Sequence, residues 1–180
     1  MSYVIAIDVG IKNLGLCVFD FRTARVVEWD NVSLVPSGRY IPAHNVQYVR
    51  AFVKKYEHFF EHAFQVVIER QIRCNMRIVE SVLQSMFYDV CIIISARSVK
   101  VHYDLSMKNY RANKQKAVAW AKQFTERNPQ AFADGVVRRS FSGVAKQDDL
   151  ADSLLLLLYY VDTYSNQLTS GIPDGLTAIV

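Results

Sequence analysis

The chain of 180 residues is long enough to bury a sizeable core in one domain without disulfides or structural metals as staples. Its 51% hydrophobic and 21% charged content excludes a disordered chain, and its longest apolar run, 154–161, is far short of the roughly 20 residues that a membrane span requires. A net charge of +4 and a sequence pI of about 9.0 suit a surface that meets polyanions while carboxylates are retained for a metal; solubility alone would account for them equally.

The opening YVIAIDVGIKNLGLCVFDF predicts two strands joined by a turn at 10–13, because β-branched and aromatic residues flank a glycine-containing break. Apolar residues on both faces of 3–7 place the first strand inside a sheet. A turn at 21–24 and the run RVVEWDNVSLV add a third strand, so the chain begins as an antiparallel meander. In NVQYVRAFVKKYEHFF, the residues Val46, Val49, Val53, Tyr56 and Phe60 share one helical face, with Arg50, Lys54, Lys55 and Glu57 opposite. FQVVIER then predicts a buried strand parallel to the first.

The stripe Met76, Val79, Leu83, Met86 and Val90 predicts a crossover helix from 75 to about 94, followed by a strand at VKVHYDL. The polar, basic SMKNYRANKQK leads into a helix over AVAWAKQFTER. A loop at 128–146 carries Pro129, Gly135, Arg138, Arg139 and Gly143, and a final helix runs from Asp148 and Asp149 to about Tyr164. Aspartates at that start favour the positive end of the helix dipole. A single domain over 1–165 with a loosely attached tail, 166–180, is expected. This element order is that of a ribonuclease H-like α/β fold: a five-stranded mixed sheet, three antiparallel strands and then parallel ones, flanked by helices.

Cys17, Cys74 and Cys91 are odd in number and widely spaced, which predicts a reducing, intracellular compartment; Cys17 and Cys91 lie in apolar runs, and Cys74 sits among arginines. No basic-then-apolar signal segment precedes the first strand. His44, His58, His62 and His102 have no ligand-like spacing and are assigned no chemistry.

Four carboxylates stand where such a fold brings strand ends and a helix together: Asp8, Glu69, Asp149 and Asp152. Asp8 ends a strand buried on both faces, where an unpaired carboxylate would be costly. Residues three apart share a helix face, so Asp149 and Asp152 can point at one place; Asp148 with Asp152 satisfies the geometry as well. Asp152 lies a turn inside an apolar segment, where capping does not explain it. Hard oxygen donors suit Mg2+, and two ions about 4 Å apart can serve an in-line phosphoryl displacement, with Mn2+ accepting the same ligands.

The pieces IDVGIKNLG, VIERQIRCNM, NYRANKQKAV and KQDDLADSLLLLL, in this order and spacing, resemble the RuvC-like Holliday junction resolvases, most closely those of poxviruses and related large DNA viruses. The resemblance covers nearly the whole chain. It implies that Asp8, Glu69, Asp149 and Asp152 bind magnesium, leaving Asp148 as the helix cap. It also implies a lysine near the scissile phosphate, Lys114 or Lys116, with Lys116 preferred. Arg70, Arg73 and Arg77, with Lys108 and Arg111, would track phosphate backbones, and Tyr110 would stack or wedge at an opened base pair. Arg138 and Arg139 could reach a junction arm.

The expected activity is a structure-selective, paired, metal-dependent cleavage of four-way DNA junctions, serving recombination, repair or the processing of replicated viral DNA in the host cytoplasm. The resemblance also implies a homodimer through the helix after Asn75, since symmetric incisions need two sites; the competing reading is that Val79, Val82, Leu83, Met86 and Val90 simply form the monomer core. Two other functions fit parts of the pattern. One is a ribonuclease H acting on RNA–DNA hybrids, and the other is a non-catalytic module that binds branched DNA.

Overall fold

The computed structural model describes residues 2–35, 38–106, 109–137 and 146–168. Strands β1 (Tyr3–Asp8), β2 (Leu14–Asp20) and β3 (Arg25–Val32) form the antiparallel meander. β4 (Ala63–Glu69) pairs parallel to β1, and β5 (Cys91–Ile94) parallel to β4, in the order β3-β2-β1-β4-β5. The expected five-stranded mixed sheet is present, with β1 at its centre. Helix α1 (Asn45–Lys55) and the single turn α2 (Glu57–Phe60) precede β4; α3 (Cys74–Met86) follows it; α4 (Ala96–His102), α5 (Tyr110–Arg127) and α6 (Gln147–Leu168) complete the described elements.

Strand periodicity separates two cores. Ile5, Ile7, Leu16, Val18, Val66 and Ile68 face Val49 and Phe52 of α1 and Val79 and Leu83 of α3. Their alternates Val4, Ala6, Cys17, Phe19 and Val67 face α6, whose Leu154, Leu155, Leu156 and Leu157 are wholly buried. α6 is apolar almost all round because the sheet lies beneath it and α4 and α5 cover its flanks.

Two helices are longer than expected, α5 beginning at Tyr110 within the basic stretch and α6 running on to Leu168, and three further elements differ in kind or extent. The helix expected over 45–60 breaks at Tyr56, whose hydroxyl donates to Asp30 Oδ2 at 2.7 Å. The helix expected from 75 to about 94 ends at Met86; after a 3-10 turn at Tyr88–Val90, the run CIII is β5 itself. VKVHYDL is therefore not the fifth strand, because β5 already fills the place beside β4, and most of it is α4. Ser95 caps that helix, its hydroxyl accepting from the Arg97 amide at 3.3 Å. A Schellman closure ends it: Leu105 N donates to Lys100 O at 2.7 Å and Asp104 N to Val101 O at 3.1 Å, with Asp104 at φ 51°. Val99 is buried and Val101 is 59% exposed, a helical pattern and not an alternating one.

Candidate active site

β1 and β4 run parallel in register Ile7 to Ile68, so one step further their ends bring Asp8 beside Glu69. The loop after Glu69 is held from several sides. Arg70 N donates to Ile94 O at 2.8 Å, Gln71 N to Glu80 Oε2 at 2.5 Å, and Gln71 Nε2 to Glu69 O at 3.1 Å. Glu80, inside α3 and 7% exposed, is thereby a brace for the strand end that presents Glu69. From above, α6 lays its first turns across β1 and β2 and contributes Asp149 and Asp152.

The four groups sense one another. Burial holds the Asp8 carboxyl well above the usual carboxylate range, and the charges of Glu69, Asp152 and Asp149 add to it. Glu69 is pushed up to about 7 by burial and then by Asp152, against the pull of Lys100 and Lys114. Asp149 is raised to about 6 by burial and by Asp148, and Asp152 is raised by burial against Lys100 and Lys114. Like charges at half-buried positions with too few partners make a strained site when ionised, and divalent cations relieve that strain.

The donor set fits Mg2+ in kind: all four ligand candidates are partly buried carboxylates, brought together from three elements, β1, β4 and α6. Among the described residues, no three His, Cys, Asp or Glu side chains already close into a cage.

Of the two candidate lysines, the structure brings Lys114 to the site and not Lys116. Lys114 Nζ donates to Asp148 Oδ2, and its charge reaches Glu69, Asp149 and Asp152. Lys116 faces away, donating to the Asp104 carbonyl with the Asp104 carboxylate at 4.0 Å. Positions two apart on a helix point to different sides, so only one of the pair can look inward. Asp148, expected as the helix cap, is the partner of Lys114. It lies within the first turn of α6, and although burial would raise its carboxyl, the hydrogen bond and charge of Lys114 hold it below its ordinary value.

Lys100 is the residue that sequence reading missed. Its Nζ is 3.7 Å from Asp152 Oδ1, with only 18% of the side chain exposed. Read as part of a strand, Lys100 would face away from Val99 and Val101 with no place at the site; as a residue of α4 it reaches Asp152.

Arg70 and Arg73 are exposed in the segment after Glu69, Arg77 is exposed on α3 where it lines the groove toward α1, and Arg111 is exposed at the start of α5. Lys108, Arg138, Arg139 and the tail beyond 168 lie outside the described residues, as does the side chain of Tyr110. Cys17 is buried, Cys91 partly buried and Cys74 exposed. On the far face of the sheet, Val79 and Leu83 serve the monomer core, while Ile78 and Met86 of α3 and Ile72 before it are exposed, Ile72 at 93%.

Several solved Holliday junction resolvases share this fold. The fowlpox virus Holliday junction resolvase matches with a TM-score of 0.62 at 18% identity, covering 89% of this chain and 98% of that one. The yeast mitochondrial Holliday junction resolvase Ydc2 matches with 0.64 at 17%, covering 93% and 85%. RuvC of Thermus thermophilus, in complex with a Holliday junction substrate, matches with 0.53 at 16%, covering 90% and 96%. At these identities the likeness establishes a shared fold. The sequence matches the family described as Poxvirus A22 protein over residues 2–164, and the chain belongs to that family. No protein of curated function matches the sequence.

Proposed function

We propose that this chain is a metal-dependent endonuclease that cuts four-way DNA junctions by paired incisions. The observation that carries the reading is the cluster of Asp8, Glu69, Asp149 and Asp152, gathered from two strand ends and a helix, in which the helix carboxylates raise the protonation of Asp8 and Glu69. A protein that only held phosphates would gain nothing from negative charge facing them. The substrate class is supported by the fowlpox, yeast and Thermus resolvases that share the fold, two of them with Holliday junction DNA.

Asp8, Glu69, Asp149 and Asp152 would hold Mg2+, two ions by preference, with Mn2+ able to substitute. Such ions supply charge stabilisation to the attacking and leaving oxygens of a phosphodiester hydrolysis. Lys114, held at the rim by Asp148, is placed to meet the charge that develops on the phosphate. Lys100 favours the ionised form of Asp152, Glu69 and Asp8, the form a metal needs. The exposed Arg70, Arg73, Arg77 and Arg111 would follow the phosphate backbones leading to the site.

Two symmetric cuts require two such sites, and a second copy of the chain provides them. Val46, Ile72, Ile78, Val82 and Met86, interspersed with polar residues that include Arg50 and Arg77, line an open groove of about 910 Å³ on the face formed by α1 and α3. The apolar part of that lining is what a self-complementary interface would cover. The working location is inside the cell, in the host cytoplasm where viral DNA is replicated. Incubating purified protein with a four-way junction, a linear duplex and an RNA–DNA hybrid in magnesium buffer tests the reading. Paired cuts in the junction alone are expected; preferential cleavage of the hybrid would overturn it in favour of a ribonuclease H, and binding without cleavage in favour of a binding module.

A further inference from the structure

Antiparallel pairing sets three residues in one row across the sheet: Asp8 of β1 opposite Gly15 of β2, and Gly15 opposite Asn31 of β3. Directly paired residues share a face, here the face that carries α6. A Cβ added at Gly15 would stand 2.2 Å from the carbonyl oxygen of Asp149 and 3.0 Å from Ser153 Cβ. Ordinary carbon–oxygen approaches are about 3.3–3.6 Å, so any side chain here would lift the start of α6 by about 1 Å. The atom met is backbone and has no flexible end to swing aside.

One row further along the same face, Trp29 is paired with Cys17. Its indole N–H donates to the carbonyl oxygen of Leu150 at 2.9 Å, a buried bond 121 residues apart in sequence. Leu150 lies between the two candidate ligands of α6, and its carbonyl also accepts from Ser153 Oγ at 2.9 Å. Asn31 completes the seat, its amide donating to Lys146 O at 3.2 Å and reaching Asp149 Oδ2 at 3.5 Å. Main-chain positions 146, 149 and 150 are therefore all set from the β2–β3 side of the sheet.

We propose that Gly15 and Trp29 are positioning residues of the metal site: the missing side chain at 15 and the indole N–H at 29 fix the height of the first turn of α6, and so the reach of Asp149 and Asp152 toward Asp8. The inference rests on reading those carboxylates as the metal site. Magnesium-type coordination tolerates little displacement, and a shift of about 1 Å at a reacting centre can cost about a hundredfold. A glycine chosen only for strand geometry carries no such consequence for metal affinity.

Mn2+ titration of the full chain without DNA, followed by the electron paramagnetic resonance of free Mn2+, tests this independently of cleavage. Gly15→Ala is expected to weaken Mn2+ binding about tenfold or more. Trp29→Phe keeps an aromatic ring beside Phe132 while removing the indole N–H and part of the buried volume; it is expected to weaken binding about fivefold. Reversible unfolding would itself raise the midpoint by the inverse of the folded fraction, so midpoints are compared under conditions where circular dichroism shows parent and variant fully folded, and a shift there reports positioning and not stability. If Gly15→Ala does not fold, Trp29→Phe decides by itself. Parental midpoints in the folded variants would overturn the inference and leave the site intact, whereas a parent chain that binds no Mn2+ would overturn the site itself.

Discussion

Replacing Glu69 by Gln should make the metal-free protein more stable while abolishing its activity. Glu69 is carried from 4.5 to about 7 by burial and by the charge of Asp152. At about 1.36 kcal/mol per pH unit, its ionised form near neutral pH and above is disfavoured in the fold by about 3 kcal/mol. The sign follows from linkage: a carboxyl whose folded value lies above its unfolded value imposes no penalty below about 4.5, a growing one between 4.5 and about 7, and the full one above. Glutamine keeps the shape but must itself be desolvated, so a net gain of about 1–3 kcal/mol at about pH 8 is expected. Urea unfolding in EDTA at about pH 8 and about pH 5 measures it. The variant should exceed the parent at the higher pH, converge with it at the lower, and lose its advantage when Mg2+ is added, because only the parent gains from the ion. A variant no more stable than the parent at the higher pH would refute the argument that these carboxylates are held together against their own repulsion.

The remaining predictions concern the rim and the far face. Lys114→Met should lower junction cleavage by about tenfold or more with little effect on junction affinity, whereas Lys116→Met, whose amine faces Asp104, should stay near the parental rate; equal losses would remove the distinction drawn from geometry. Alanine at Arg70, Arg73 and Arg77 together should flatten the salt dependence of junction binding, by about 0.9 in the log–log slope for each phosphate that is no longer neutralised. An unchanged slope would take these arginines out of the interface. Sedimentation should give a dimer for the parent and a folded monomer for Ile78→Asp, since Ile78 is 41% exposed in the single chain; a parent that sediments as a monomer with and without junction DNA would rule the dimer out.

Much of the architecture was legible because pattern and period agreed. The doubly apolar run at 3–7 is the central strand, FQVVIER is β4, and the leucine-rich segment after Asp152 is the buried α6. The error lay where periodicity is ambiguous. CIII is too short to tell strand from helix by its spacing, and the alternation of Val99, Val101 and Tyr103 with Lys100, His102 and Asp104 imitates a strand. Only the pairing of β5 with β4, between segments distant in sequence, resolves both.

The ligand candidates were visible as carboxylates out of place in apolar segments. Their surroundings were not. Lys100, the Lys114–Asp148 pair, and the seat made by Gly15, Trp29 and Asn31 depend on how α4, α5 and α6 are laid against the sheet. No spacing along the chain encodes that packing.

The central claim is that Asp152 projects from α6 as a metal ligand beside Asp8 and Glu69, and its most direct test is the cleavage rate of Asp152→Asn on a four-way junction in Mg2+. Asparagine preserves shape and removes the charge, so cleavage should fall by orders of magnitude, while junction binding in Ca2+ persists or tightens because a negative charge near the phosphate is gone. Cleavage at close to the parental rate would contradict the account.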